Sequence, residues 1–231
     1  MASIAVLSSL ALKGVLEEFK PPFERSLGAP LELRFDATQA ILKQVDQSQA
    51  DLLILTAEAM DDLHAQGKIK EKRALGSSGV GVAVRAGAPK PNIGSVEALK
   101  RTLTAAKSVA HSKVGASGIY FSELLERLKI TLQKRIMVEK GPVGRVVASG
   151  EAEIGVQQLC ELAPVRGIDI VGPLPEAVQK LTYFAAGIPA QAANPDGALA
   201  LLDLLHSEAA QAAMVRGGLQ PATARPARPA R

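Results

Sequence analysis

The sequence predicts an α/β fold with a mostly parallel sheet, and three stretches near its start carry that prediction. Ile4–Leu7, Leu31–Phe35 and Asp51–Leu55 have the apolar patterns of buried or half-buried strands. Each is followed by a polar turn and a helical pattern, and strand–helix alternation at such short intervals is typical of parallel sheets. Because ligands of such sheets lie beyond the carboxyl ends of the strands, the polar turns are the candidate site.

Two serines follow the first strand. Ser8 and Ser9 precede a helical pattern that runs to Phe19. Ser9 is a suitable N-cap residue, and the free N–H groups of a helix start together with two hydroxyls can also hold an anion. Both interpretations, cap and anion ligand, stay open here. The second strand leads to a similar turn with Thr38 and a helix predicted from Ala40 to Val45, and Thr56 follows the third strand.

The middle of the chain repeats this arrangement. Val80–Val84 is predicted as a strand, and its nearby glycines precede a strand rather than link a strand to a helix, which excludes a dinucleotide loop. Ser95 is predicted to cap a helix with Ala98 at its third position. The richest turn follows a short strand after Ser108, and its candidate polar residues and helix start are His111, Ser112, Lys113, Ser117, Gly118 and Tyr120.

A fifth polar turn leads to a helix start at Val143, where Pro142 is tolerated in the first turn. Ile154–Val156 is predicted as the next strand, with Gln157 and Gln158 at its end. Adjacent residues of a strand point to opposite faces, so one amide can reach a ligand while the other packs or is solvated.

Composition excludes several classes of function. The chain has 231 residues, only 3% aromatic residues and no Trp, so a base-stacking surface for nucleic acid is not expected. No apolar run is long enough to insert into a membrane. The net charge of +4 owes much to residues 221–231, which are predicted to be a disordered basic tail. No His, Cys or carboxylate cluster has metal-ligand spacing, and we expect no metal and no cofactor.

The order of these segments resembles the type II periplasmic solute-binding proteins, in their molybdate-binding-protein-like branch. The resemblance rests on Val6–Ser9, Ala50–Leu55, Gly79–Val84, Gly115–Tyr120, Gly150–Gly155 and the final helical hairpin. It implies two α/β lobes joined by two crossing strands, with the ligand clamped in the cleft between them. Lobe one would comprise residues 1–80 and 184–220, and lobe two residues 81–183.

The resemblance also implies a set of ligand-binding residues. Molybdate binders use serines after the first two strands, N–H groups at two helix starts and a later Tyr. The corresponding positions here are Ser8 or Ser9, Thr38, Ser117, Val143 and the Gln157–Gln158 pair. Thr38 stands where molybdate binders have a serine, and the glutamine pair stands where they have the Tyr. Hydroxyl and amide donors of this kind suit a carboxylate ligand as well.

A divergent subgroup of this branch, which includes aconitate isomerase, is more similar still. The similarity lies in Arg85–Pro91, Ser95–Arg101 and Gly155–Glu161. Two functions are therefore expected: a binder of a small oxyanion or carboxylate or, as the alternative, a cofactor-independent isomerase of a small polycarboxylate that works by 1,3-proton transfer. For the isomerase, His111 is the best-placed acid–base candidate, with Lys113, Tyr120 and Glu161 as weaker ones.

Partners and location follow as expectations. We expect a small anionic ligand, an oxyanion or a di- or tricarboxylate, and neither a nucleic acid nor membrane insertion. A transporter permease is expected only for an exported protein. If Met1 is the natural start, a cytoplasmic protein is expected; if a leader was removed, a periplasmic one. A regulator's sensing domain is disfavoured because no helix-turn-helix precedes Ile4.

Overall fold

The computed structural model describes residues 2–222 and divides the chain into two units. The first unit comprises the chain up to Ser77 and from Tyr183 onward, and the second is Ser78–Thr182. Of the predicted basic tail, residues 223–231 lie outside the described residues. Its first residue, Pro221, belongs to a short strand.

The first unit combines strands with five helices among its described residues. Its strands are β1 (Ile4–Ser9), β2 (Leu31–Asp36), β3 (Leu52–Thr56), the start of β4 (Ile69–Arg85), most of β9 (Leu181–Pro189) and β10 (Gln220–Pro221). Its helices are α1 (Lys13–Leu27), α2 (Thr38–Leu42), α3 (Ala57–Ala65), α8 (Pro195–Leu205) and α9 (Glu208–Arg216). Short 3-10 turns, Leu10–Leu12 and Val45–Gln47, follow β1 and α2.

The sheet of the first unit places β1 at the centre of the order β2-β1-β3-β9. Strand β1 is parallel to both neighbours, and β9 is antiparallel to β3. Its apolar residues pack on α2 and α3 in a cluster that includes Leu7, Ile41, Leu53, Leu55 and Met60. The carboxyl ends of β1, β2 and β3 therefore meet at one edge.

The second unit repeats the plan in the order β4-β7-β5-β6, with β8 pairing the other side of β4. Its further elements are β5 (Val109–Ser112), β6 (Arg135–Val138), β7 (Ile154–Gln158), β8 (Ile168–Pro173), α4 (Val96–Ala105), α5 (Ala116–Arg127), α6 (Val143–Ala148) and α7 (Leu159–Leu162). Strand β5 is parallel to β6 and β7, while β7 and β8 are antiparallel to β4. Helices α4 and α5 cover one face through buried Leu99, Phe121 and Leu124. The predicted α/β class is confirmed.

Three elements differ from their predictions. Strand β4 has 17 residues, whereas only Val80–Val84 was expected, because charged residues such as Lys70 and Arg73 obscure the pattern of its first half. Helix α1 continues through Pro21 and Pro22 until Gly28, whose left-handed φ of 61° ends it. Helix α2 begins at Thr38 rather than Ala40.

A buried carboxylate joins two segments at the amino end of β3. Asp51 is 3% exposed, and its two oxygens accept hydrogen bonds from the N–H groups of Ala5 (2.9 Å) and Asn194 (2.7 Å). The Asn194 side chain in turn caps α8 by accepting from the Gly197 N–H at 3.0 Å. Asp51 therefore ties the start of α8 to the central strand of the first unit.

Replacing Asp51 should destabilise the protein strongly. D51A leaves two backbone N–H groups without an acceptor, each at a cost of about 1–3 kcal/mol, so the free energy of unfolding should fall by roughly 2–6 kcal/mol. Urea unfolding followed by circular dichroism measures this in a chain without Trp. D62A, at an exposed position of α3, is the matched control. Equal urea midpoints for the two variants would contradict the assigned role.

Candidate functional site

The carboxyl edge of the first unit carries hydroxyl side chains on three adjacent strands. Ser9 ends the central strand β1, Thr56 ends β3, and Thr38 follows β2 as the first residue of α2. In the sheet register Ser9 lies beside Asp36 of β2, whose carboxylate accepts the Ala37 N–H at 2.8 Å. Thr38 itself is half-buried, and Ala37 rather than Thr38 is the N-cap residue of α2. The edge thus brings the hydroxyl groups of Thr38 and Thr56 and the Asp36 carboxylate to the same end of the sheet as Ser9.

Ser9 is a buried hydroxyl without a protein partner. Ser8 is fully buried, and its Oγ donates to the carbonyl oxygen of Ser9 at 2.9 Å. The Ser9 side chain is 4% exposed, and its Oγ has no hydrogen-bond partner within residues 2–222. Helix α1 begins four residues later, after a 3-10 turn that Ser9 does not cap with its side chain. The structure therefore contradicts the cap interpretation of Ser9.

A cation lies close to this edge of the first unit. The Lys13 amine is 5.7 Å from the ring centroid of Phe35, the β2 residue that pairs with Ser8. The same amine is 3.7 Å from Glu17, one turn further along α1. Lys13 thus brings a partly paired positive charge near the end of β2.

In the second unit, a longer helix, α5, begins at the carboxyl edge of the sheet. The Ser112 hydroxyl at the end of β5 accepts the Gly115 N–H at 2.9 Å, which shapes the turn into α5. Helix α5 starts at Ala116, so Ser117 lies buried in its first turn. A Cβ at Gly118 would lie 1.8 Å from the Ser112 carbonyl oxygen, so only glycine fits this contact. The first N–H groups of α5 have no intrahelical acceptor.

An ion pair lies beside the turn into α5. The Lys113 amine contacts the Glu139 carboxylate at 2.7 Å, joining the ends of β5 and β6. The hydrogen bond from Lys113 holds the pKa of Glu139 below its ordinary value.

His111 does not have the environment of a general base. Its ring is 1% exposed, with Nδ1 2.8 Å from the Ser112 carbonyl oxygen and Nε2 accepting from Arg135 Nε at 2.7 Å. Burial, and secondarily the Arg135 charge, lowers its pKa. Both ring nitrogens are engaged, so the structure argues against the predicted catalytic role. No local pattern around His111 indicates the Arg135 contact, because the two residues are 24 positions apart.

Tyr120 is also held by the protein. Its hydroxyl donates to the Val178 carbonyl oxygen at 2.7 Å and accepts from Arg127 at 3.1 Å. The ring is buried and flanked by the cations of Arg127 and Lys180. These contacts make Tyr120 a packing residue, contrary to its predicted place in the ligand site.

The predicted ligand groups Val143 and Gln157 bond to each other. The Val143 N–H, at the start of α6, donates to Gln157 Oε1 at 2.8 Å. The amide nitrogen of Gln157 then donates to Glu161 Oε2. A side chain of the protein thus occupies the N–H group that was predicted to hold a ligand.

Gln158, on the opposite face of β7, is likewise satisfied. Its hydrogen-bond network orients the carboxamide so that nitrogen donates to the carbonyl oxygens of Ser78 (2.8 Å) and Gly79 (3.1 Å). Its oxygen accepts from the Thr182 hydroxyl at 2.5 Å. Gln158 therefore fastens the end of β7 to the middle of β4 and to the start of β9, and it is not free to bind a ligand.

Glu161 emerges as the unusual titratable group of this edge. Burial raises its pKa to about 7, although the Gln157 hydrogen bond opposes the shift. Its neighbour Cys160 is 2% exposed, and burial raises the pKa of that thiol far above its ordinary value. Within residues 2–222 no three His, Cys, Asp or Glu side chains form a group that could hold a metal ion.

Comparison with known proteins assigns the family. The sequence profile of the family described as bacterial extracellular solute-binding protein matches residues 4–220. The chain belongs to this family. A relative of this chain, aconitate isomerase from Pseudomonas sp, is 39% identical over 238 residues, covering 98% of this chain and 90% of that protein.

Solved structures of solute-binding proteins have the same fold as this family member. The periplasmic molybdate-binding protein of Azotobacter vinelandii matches with a TM-score of 0.76 at 16% identity, covering 94% of this chain and 98% of that one. The sulfate-binding protein SubI from Mycobacterium tuberculosis matches with a TM-score of 0.71 at 18% identity, covering 97% and 88%. The predicted resemblance to the molybdate-binding branch and to its isomerase-containing subgroup is confirmed. Among the described helices, none has the length and apolar character needed to cross a bilayer.

The raised pKa of Glu161 predicts that stability falls with pH. The folded protein holds the proton more tightly, with a pKa of about 7 against an ordinary 4.5, so stability should decline between these values and level off above. E161Q, which mimics the neutral acid, should lack this decline and gain roughly 1–3 kcal/mol over wild type by pH 8. Urea midpoints of both proteins from pH 4.5 to 8 measure the difference. A pH-independent difference would refute the assignment.

Proposed function

We propose that this solute-binding protein family member binds a small carboxylate or oxyanion, and that Ser9 donates a hydrogen bond to it. The observation that carries the proposal is the buried Ser9 hydroxyl without a protein partner at the end of β1. Burying such a group unpaired costs about 1–3 kcal/mol, which a ligand oxygen would recover. The half-buried Thr38 and the Lys13 amine support this reading, since they add a hydroxyl and a cation to the same edge.

We favour a carboxylate over molybdate. In the second unit Gln157 accepts the first N–H of α6, so the Val143 N–H, which the molybdate-type site would use, is already occupied by a side chain of the protein. The start of α5, with Ser117 in its first turn, is the donor group we propose for this unit. A relative that acts on aconitate, a tricarboxylate, points to the same ligand class.

Replacing Ser9 should change binding and stability in opposite directions. S9A removes a hydrogen bond to a charged ligand, worth about 1.5–3 kcal/mol, so the Kd for the best ligand should rise roughly 10–100-fold. The same change removes an unsatisfied buried hydroxyl, so the ligand-free protein should be as stable as wild type or more so. Calorimetric titration with cis-aconitate, trans-aconitate, citrate, molybdate and sulfate measures binding, and thermal unfolding without ligand measures stability.

The control for this experiment is S26A, at an exposed position of α1, which should alter neither quantity. A purely structural Ser9 would give the reverse pattern, with S9A unstable and ligand affinity retained. Tight binding of molybdate or sulfate without binding of any carboxylate would overturn the preference for carboxylates while leaving the anion site intact.

A second candidate function is isomerisation of an unsaturated tricarboxylate. The observation that favours it is the 39% identity to aconitate isomerase over nearly the whole chain. Such a reaction needs a group that takes up and returns one proton near neutral pH.

Nuclear magnetic resonance distinguishes the enzyme from the binder. We expect the wild-type protein to convert cis-aconitate into the trans isomer, because the relative that is 39% identical to it is named aconitate isomerase. In deuterated water, deuterium entering the substrate carbons would report proton transfer to solvent. Binding of aconitate without conversion or exchange over hours would leave a receptor for a carboxylate and exclude the isomerase.

The family description also bears on partners and location. If the protein is exported, as extracellular solute-binding proteins are, we propose a periplasmic location and a transporter permease as the partner that receives the ligand. If it is retained in the cytoplasm, the isomerase is the better proposal, because no transport step is then available to it.

A further inference from the structure

We propose that the Glu161 carboxyl is the group that transfers the proton in this isomerisation and that Gln157 is its positioning residue. This inference rests on the proposed isomerase function and assigns that reaction's acid–base group to residues of the second unit. The other titratable candidates at this edge, His111, Lys113 and Tyr120, are all engaged in protein contacts.

The position of Glu161 suits contact with a ligand. It lies in α7, three residues beyond the end of β7, and thus at the carboxyl edge that also carries the start of α5. The residue is half-buried, and protein surrounds nearly all of its carboxyl group. One oxygen, Oε2, accepts from Gln157, while Oε1 has no hydrogen-bond partner among the described residues. The carboxyl is therefore held at one oxygen and unpaired at the other.

The orientation of Gln157 is determined by the backbone. Because the Val143 N–H donates to Gln157 Oε1 at 2.8 Å, the amide nitrogen must point to Glu161. Turning the amide over would place its nitrogen against the Val143 N–H and its oxygen against the Glu161 oxygen, losing both bonds. Gln157 thus fixes one oxygen of Glu161 without itself exchanging protons.

The electrostatic surroundings keep Glu161 able to take up and release a proton. Within residues 2–222 no Lys, Arg or His nitrogen forms an ion pair with it, and its neighbour Cys160 is a buried neutral thiol. Burial without a cation raises the pKa of Glu161 to about 7, so both protonation states are populated at neutral pH. A group in that condition can serve as base and then as acid in one turnover.

The proposed step conserves atoms and electrons. The Glu161 carboxylate removes a proton from the methylene carbon next to the substrate's double bond, and the C–H electron pair forms a new double bond. The charge moves through the former double bond into the carboxylate conjugated with it. The protonated Glu161 then returns the proton to the carbon at the far end, which restores the carboxylate and leaves the double bond shifted by one position.

The test compares E161Q with E123Q, an exposed glutamate of α5, for turnover and binding of cis-aconitate. E161Q should lower kcat at least roughly 100-fold, with Kd within about threefold of wild type, while E123Q should match wild type in both. In the wild-type protein kcat should fall on the acidic side with an apparent pKa near 7. Q157L removes the hydrogen bond that lowers the pKa of Glu161, so its acidic limb should move to higher pH.

Each outcome decides between the hypotheses. If wild type converts aconitate and E161Q does so equally well, the Glu161 assignment is overturned and the isomerase function stands. If wild type binds aconitate without conversion, both are overturned and only the binding function survives. If E161Q does not fold, the pH profiles decide: an acidic limb near 7 that moves upward in Q157L supports the assignment, and a limb that Q157L leaves unchanged refutes it.

Discussion

The need to satisfy buried hydrogen-bonding groups at the carboxyl ends of the strands governs the chemistry of this protein. Both units bring parallel strands to a common edge and follow them with helix starts, so each edge collects N–H donors and polar side chains. In the second unit, most of these groups are paired with each other. In the first unit, Ser9 keeps a buried hydroxyl unpaired, and a ligand is the simplest partner for it.

In the second unit, two glutamine side chains occupy hydrogen-bonding groups that could otherwise bind an anion. Gln157 and Gln158 occupy consecutive positions on opposite faces of β7, and each is committed to a different task. Gln158 secures the strand ends, whereas Gln157 links a helix start to a carboxyl group. The result is a half-buried acid at the same edge of the sheet as the start of α5. In the proposed isomerase this acid is the group that exchanges a proton with the carboxylate ligand.

Local patterns in the sequence predicted most of the strands and helices, although they missed the first half of β4 and suggested a cap at Ser9 that the structure lacks. Ser95 accepts the Ala98 N–H as expected, because a cap and its donor lie three residues apart. The roles of individual site residues could not be predicted in the same way, because their hydrogen-bond partners are distant in the sequence. Tyr120 bonds to Val178, 58 positions away, and nothing near Tyr120 distinguishes a packed phenol from a ligand-binding one.

The contact between Gln157 and Val143 makes the amide a tethered competitor for any anion that approaches α6. An intramolecular group of this kind acts at an effective concentration of about millimolar or higher, so a weakly held oxyanion competes poorly with it for the Val143 N–H. Under the proposed function, one side chain would thus disfavour small inorganic anions without any change in the backbone. The same amide also holds Glu161, so a substitution of Gln157 would alter both contacts at once.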